Sequence, residues 1–142
     1  MKIVVAADHG GFLLKEQIKN TLMLAGYDVV DAGCTSADSV DYPDYAEKAV
    51  AYIETGQSQR AILVCGTGIG MSIAANRHRS IRAANCCDVA TARLSREHND
   101  ANVLCLGARV LASDLALQMV TTWLATEFDG GRHQLRIAKF SD

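Results

Sequence analysis

The stretch AILVCGTGIGMSIAANR at 61–77 opens on a continuous apolar run, turns through glycines at 66, 68 and 70, and continues into a short helix-like segment. Ala61–Cys65 shows no polar alternation, so the pattern predicts a strand buried on both faces. Gly66–Gly70 reads as the turn, and residues 71–76 as the helix that follows it. A strand apolar on both faces with a helix after it is the repeating unit of a parallel sheet covered on both sides.

The same succession extends outward in both directions. Upstream, KIVVAA at 2–7 predicts a first strand, followed by a helix from about Gly11 to Leu24, in which Phe12, Ile18, Leu22 and Met23 recur at helical spacing. Gly26 ends it. A second strand is expected over 27–32 and a helix over 43–55, with Pro43, the only proline, in its first turn. Downstream, strands are expected over 81–85 and 103–106, a helix over 89–97, and a closing amphipathic helix over 113–126. Gly130-Gly131 then sets off a short basic tail. The fold expected is a single α/β domain over residues 1–142, a three-layer sandwich around a five-stranded parallel sheet.

Composition narrows the function classes. Hydrophobic residues at 49% and charged residues at 21% describe a packed globular chain. A net charge of −2 gives no basic field for nucleic acid, although arginines could still gather around a phosphate. No window reaches the ~18 apolar residues of a membrane span. The apolar start meets Asp8 too soon for a signal peptide, so a cytoplasmic protein is expected. Cys34, Cys65, Cys86, Cys87 and Cys105 are odd in number and lack C-x-x-C spacing, which argues against a disulfide framework and a four-ligand zinc site. Four of them read as small hydrophobes in a reducing compartment.

Cys65 stands apart by position. In open α/β sheets ligands bind beyond the carboxyl ends of the strands, and two polar or glycine-rich turns occupy such ends: Asp8-His9-Gly10-Gly11 and Cys65-Gly66-Thr67-Gly68-Ile69-Gly70. The second can aim backbone N–H groups, together with a helix N-terminus, at an anion, either a phosphate or the oxyanion of an enediolate. Such surroundings favour a thiolate at Cys65. A thiolate beside an anion hole can take a proton alpha to a carbonyl, and Thr67 is close enough in sequence to hydrogen-bond the sulfur. The plainer alternative is a buried cysteine before a tight turn. A dinucleotide fingerprint would need glycine where Met71 stands, and the Lys-Ser/Thr pair of a P-loop is absent.

The other polar residues carry two readings each. Asp8 either caps the next helix or binds sugar hydroxyls, with His9 meeting a phosphate or hydroxyl. His98 either sits favourably at a helix C-terminus or serves as a general acid. A helix end preceding a strand lies at the opposite edge of the sheet from Cys65, so if both serve one reaction the simplest reconciliation is that His98 comes from a second subunit. Arg132 and Arg136, four apart, either clamp a phosphate or form a solvated tail. Arg109 follows the fifth strand, where a buried salt bridge is an equal expectation. His78 and His133 read as surface residues.

Five ordered blocks resemble the ribose-5-phosphate isomerase B family, which also takes in the galactose-6-phosphate isomerase subunits: AADHGG at 6–11, DYPDYA at 41–46, CGTGIGMSIAANR at 65–77, LSREHNDANVLCLGAR at 94–109 and GGRHQLR at 130–136. The resemblance covers essentially the whole chain. It implies a flavodoxin- or Rossmann-like sandwich without a nucleotide cofactor, working as a homodimer or dimer of dimers. It implies Cys65 as proton acceptor and His98 as ring-opening acid, with Asp8, His9, Gly66, Thr67, Gly68, Ile69, Gly70 and Asn99 on the sugar phosphate and Tyr42 lining the pocket. Arg109, Arg132 and Arg136 would complete the phosphate site, partly across a subunit interface in which segment 130–142 takes part. Some relatives carry a glutamate base just after the glycine loop; Met71 occupies that position here, which points to the cysteine-using branch. The implied reaction passes through a cis-enediolate and needs no metal, because the amide cradle does the polarising. Allose 6-phosphate and galactose 6-phosphate remain alternative substrates, and a sugar-phosphate sensor without turnover is the alternative of another class.

Overall fold

The apolar runs become strands because helices cover both of their faces. The computed structural model describes residues 1–141; Asp142, the last residue of the expected segment 130–142, lies outside the described residues. The order is β1 (Lys2–Ala7), α1 (Phe12–Leu24), β2 (Asp28–Asp31), α2 (Tyr42–Glu54), β3 (Arg60–Cys65), α3 (Ile69–Ala75), β4 (Ala83–Asn85), α4 (Val89–Asn99), β5 (Val103–Gly107), α5 (Ser113–Ala125) and α6 (Arg132–Ile137).

The strands form one parallel sheet in the order β2-β1-β3-β5-β4. All of β3 and β5 is buried. Alternate residues feed two cores. Ile3, Val5, Ile62, Val64, Leu104 and Leu106 pack with Ile18, Leu22, Met119 and Trp123 on one side. On the other, Val4, Ala6, Leu63, Cys65 and Cys105 pack with Ala46, Val50, Met71 and Ala75. Thus α1, α4 and α5 cover one face, and α2 and α3 the other.

Register fixes what shares an edge. Ala7 pairs with Val64, and Cys65 with Gly107, so the turns after β1, β3 and β5 open together at the carboxyl edge. The chain leaves β1 toward β2 and returns on the other side at β3, which puts the topological switch between the Asp8 and Cys65 turns.

Several boundaries differ from the sequence expectation. The α3 helix begins at Ile69, two residues early, because Gly68 at φ +80 supplies the left-handed turn that starts it. The α4 helix runs on to Asn99, with Asp100 as a left-handed cap, so His98 and Asn99 sit in its last turn. The basic tail is helical as α6. In α1 the buried residues are Leu14, Lys15, Ile18 and Leu22. Met23 is 58% exposed, so only part of the expected stripe faces the core. Lys15 is buried because its ammonium donates to Asp31 and to the Cys34 carbonyl, at 2.7–2.8 Å.

Candidate functional site at the carboxyl edge of the sheet

Cys65 ends β3 and is 4% exposed. Its Sγ accepts a hydrogen bond from the Gly68 N–H at 3.1 Å, which closes the turn around the sulfur. This corrects the contact expected of Thr67: the side chain is exposed, and its Oγ1 accepts from Ile69 N–H at 3.3 Å. Elsewhere in the core, two thiols are held back from ionising. Burial pushes Cys105 well up, and burial likewise raises Cys86.

The three glycines make room for neighbouring side chains. A Cβ on Gly66 would stand 3.2 Å from Arg109 Nη1, so the guanidinium lies across that turn. A Cβ on Gly68 would press into Asn85 Oδ1 and the Leu106 backbone. One on Gly70 would meet the Tyr42 ring at 2.6–3.0 Å, so Tyr42, from the start of α2, does line the turn. Asn85, at the end of β4, went unnoticed in the sequence because a polar strand end carries no pattern of its own.

The β1 turn lies alongside. Asp8 is 8% exposed, and its Oδ1 accepts from the N–H groups of Gly10 and Gly11 at 2.9 and 3.2 Å. It therefore braces its own turn, while Gly11 is the N-cap of α1. His9 Nδ1 accepts from the Val40 N–H at 3.2 Å. A backbone amide can only donate, so the ring proton of neutral His9 sits on Nε2. Arg109 does not form the salt bridge considered from sequence: among the described residues its guanidinium has no carboxylate partner. Its Nη2 and Asp8 Oδ1 each lie 3.4 Å from where a Gly10 Cβ would be, which places one cation between the two turns. Asp8, His9, Tyr42, Cys65–Gly70 and Arg109 therefore gather at one edge.

His98, Asn99, Arg132 and Arg136 do not join them within the chain. His98 lies in the last turn of α4, before β5 begins, and β5 spans about 13 Å at ~3.3 Å per residue. The four form a second group at the amino edge. His98 stacks on His133 with ring centroids 4.4 Å apart and 14° between planes. His133 is thus half-buried in a pair, not a lone surface residue. Loss of solvation, then His98, Arg132 and Arg136, lower its pKa below the usual histidine value. Arg132 and Arg136 are exposed on α6. His78 is engaged elsewhere, with Glu47 at 2.9 Å and Glu54 at 3.1 Å. Among the described residues, no helix is long and apolar enough to cross a membrane.

Comparison with known proteins places this arrangement. A family model described as Ribose/Galactose Isomerase matches residues 3–140. Ribose-5-phosphate isomerase B of Escherichia coli is 45% identical, over 96% of this chain and 91% of its own length. The crystal structure of a ribose 5-phosphate isomerase from Thermotoga maritima superposes with a TM-score of 0.97 at 53% identity, covering 99% of this chain and 97% of that one. The Mycoplasma genitalium ribose-5-phosphate isomerase B, solved with bound ribulose-5-phosphate, gives 0.93 at 38% identity, covering 97% and 92%.

Proposed function

The chain belongs to the ribose/galactose isomerase family, and from that premise we propose that it interconverts ribose 5-phosphate and ribulose 5-phosphate with Cys65 as the base. The observation that carries this reading is the seat of Cys65: a buried sulfur held by the Gly68 amide at the mouth of a glycine turn. The bound ribulose-5-phosphate of the Mycoplasma genitalium relative supports the substrate class.

In this reading Asp8 Oδ2 accepts from sugar hydroxyls, and the neutral His9 presents Nε2–H to an oxygen. His98 donates a proton to the ring oxygen and opens the furanose. The Cys65 thiolate then takes the proton from C2. Backbone N–H groups of the Gly66–Gly70 turn and the first turn of α3 stabilise the oxygen charge of the cis-enediolate. The proton returns from Cys65 to C1 and gives the ketose. Arg109, Arg132 and Arg136 hold the phosphate, so binding energy remote from the chemistry positions the reacting carbons.

Because His98, Asn99, Arg132 and Arg136 lie at the far edge, the complete site takes them from a second copy of the chain. Ile69 and Ile73 support this: they are 53% and 58% exposed, one turn apart on α3, beside the Cys65 turn and the 39% exposed Tyr42. An apolar face at the rim of a half-site suits a symmetric homodimer, or a dimer of dimers.

The test is kcat/KM on ribose 5-phosphate, allose 6-phosphate and galactose 6-phosphate for wild type and Cys65→Ala. Pentose turnover that falls by roughly 10²–10⁴ in the variant supports base and substrate together. Full activity in Cys65→Ala removes the cysteine from the mechanism. Preference for a hexose phosphate changes the substrate and keeps the base; ligand binding without turnover of any sugar makes the protein a sensor.

A further inference from the structure

We propose that His98, Asp129 and His133 form a binding site for a divalent transition-metal ion of the zinc class. One ligand atom from each lies within 4.8 Å of the other two. They come from three pieces of chain: the last turn of α4, the connection after α5, and the second residue of α6. Asp129 is put in place by its backbone, since its N–H donates to the Glu97 carbonyl at 3.0 Å and pins the connection to the turn that carries His98. The two imidazoles stack nearly parallel with centroids 4.4 Å apart, which brings both rings to one place, and one ring turns out of the stack for both lone pairs to meet a single ion.

Two imidazoles and a carboxylate are a donor set that zinc accepts while keeping a fourth position open. Magnesium and calcium, which prefer oxygen ligands, are poor candidates. Tetrahedral bonds of ~2.1 Å put donors roughly 3.4 Å apart, so the side-chain ends draw in by at most about 1.4 Å. An exposed carboxylate and two half-buried rings reach that by rotating about χ1 and χ2. Arg132 and Arg136 oppose a cation here, which selects for metals of high imidazole affinity, copper(II) and zinc over manganese.

On the isomerase reading given above, a metal on the His98 nitrogen removes the ring-opening acid, so the ion is an inhibitor. The experiment titrates chelator-stripped protein with Zn²⁺ by calorimetry and with Co²⁺ by visible spectroscopy. The expected result is one ion per chain, with affinity lowered ~10-fold or more in Asp129→Asn and His133→Gln, and a cobalt spectrum without a thiolate charge-transfer band. No binding, unchanged binding in both variants, or a thiolate band that moves the ion to a cysteine overturns the site. In ribose 5-phosphate assays Zn²⁺ should inhibit wild type far more than Asp129→Asn, and chelator should restore the rate. Zinc binding with undiminished turnover overturns the link to His98. Absence of turnover in the chelated wild type counts against the isomerase reading and leaves the binding result standing.

Discussion

At the carboxyl edge of the sheet Cys65 is 4% exposed and held by a backbone amide, whereas at the amino edge Arg132 and Arg136 stand exposed on a short helix and His98 is held by ring stacking. The first group is built from turns whose geometry follows from strand register, so its precision comes from the sheet. The second is built from side chains on helix ends, and it lacks anything opposite to act on. On the proposed reading, proton transfer at carbon falls to the rigid edge, and ring opening and the grip on the phosphate to the softer one.

The sharpest way to break this comparison is to mix two disabled chains. Cys65→Ala and His98→Gln should each lose roughly 10²–10⁴ in kcat. Unfolded and refolded together in equal amounts, they should recover about a quarter of the wild-type sites, because half the dimers are mixed and one of their two sites is intact. A mixture as dead as its parents would place both residues in one chain's site and undo the division into edges. Gly68→Ala should come next. It forces a Cβ onto a φ of +80 and into Asn85, so we expect a loss of about 1–3 kcal/mol in urea unfolding and roughly 10²-fold in kcat. Arg136→Ala should act on the softer edge alone, raising KM about 10-fold with little change in unfolding midpoint; Arg136→Lys should recover only part of it.

The smallest effect belongs to neither edge. The hydrogen bond to Glu47 is the main cause holding the His78 pKa above its ordinary 6.5. A raised folded pKa means stability fully present below pH 6.5 and lost as pH rises through the folded value. His78→Gln should therefore cost a few tenths of a kcal/mol at about pH 5–6, where imidazolium and carboxylates are both charged, since the pair is largely solvent-screened, and nothing at high pH. A difference that grows with pH would reverse the assignment.

The carboxyl edge was largely legible in the sequence. Two-sided apolar strands and glycine turns are dense local signals, and they placed Asp8, Cys65 and Gly66–Gly70 on one edge. The alternation also predicted that His98 would lie at the other. What the sequence hid were contacts between elements distant along the chain. The occupation of Gly66 by Arg109 and of Gly68 by Asn85, the Val40 amide on His9, and the His98–His133 stack all depend on packing that no spacing encodes. The sulfur's partner differs for a related reason: nearness in sequence pointed to the Thr67 hydroxyl, but the left-handed Gly68 swings its own amide onto the sulfur.

The cradle hangs from β3, central in the sheet and buried along its length, while α6 is six residues long and buries Ile137. The two should therefore not open together. Amides of β3 are expected to exchange with solvent hydrogen only on global unfolding, and those of α6 through cheap local fraying. Mild denaturant should then abolish turnover while the circular dichroism of the sheet stands unchanged. Catalysis would be lost from the end of the chain inward, well before the fold itself gives way.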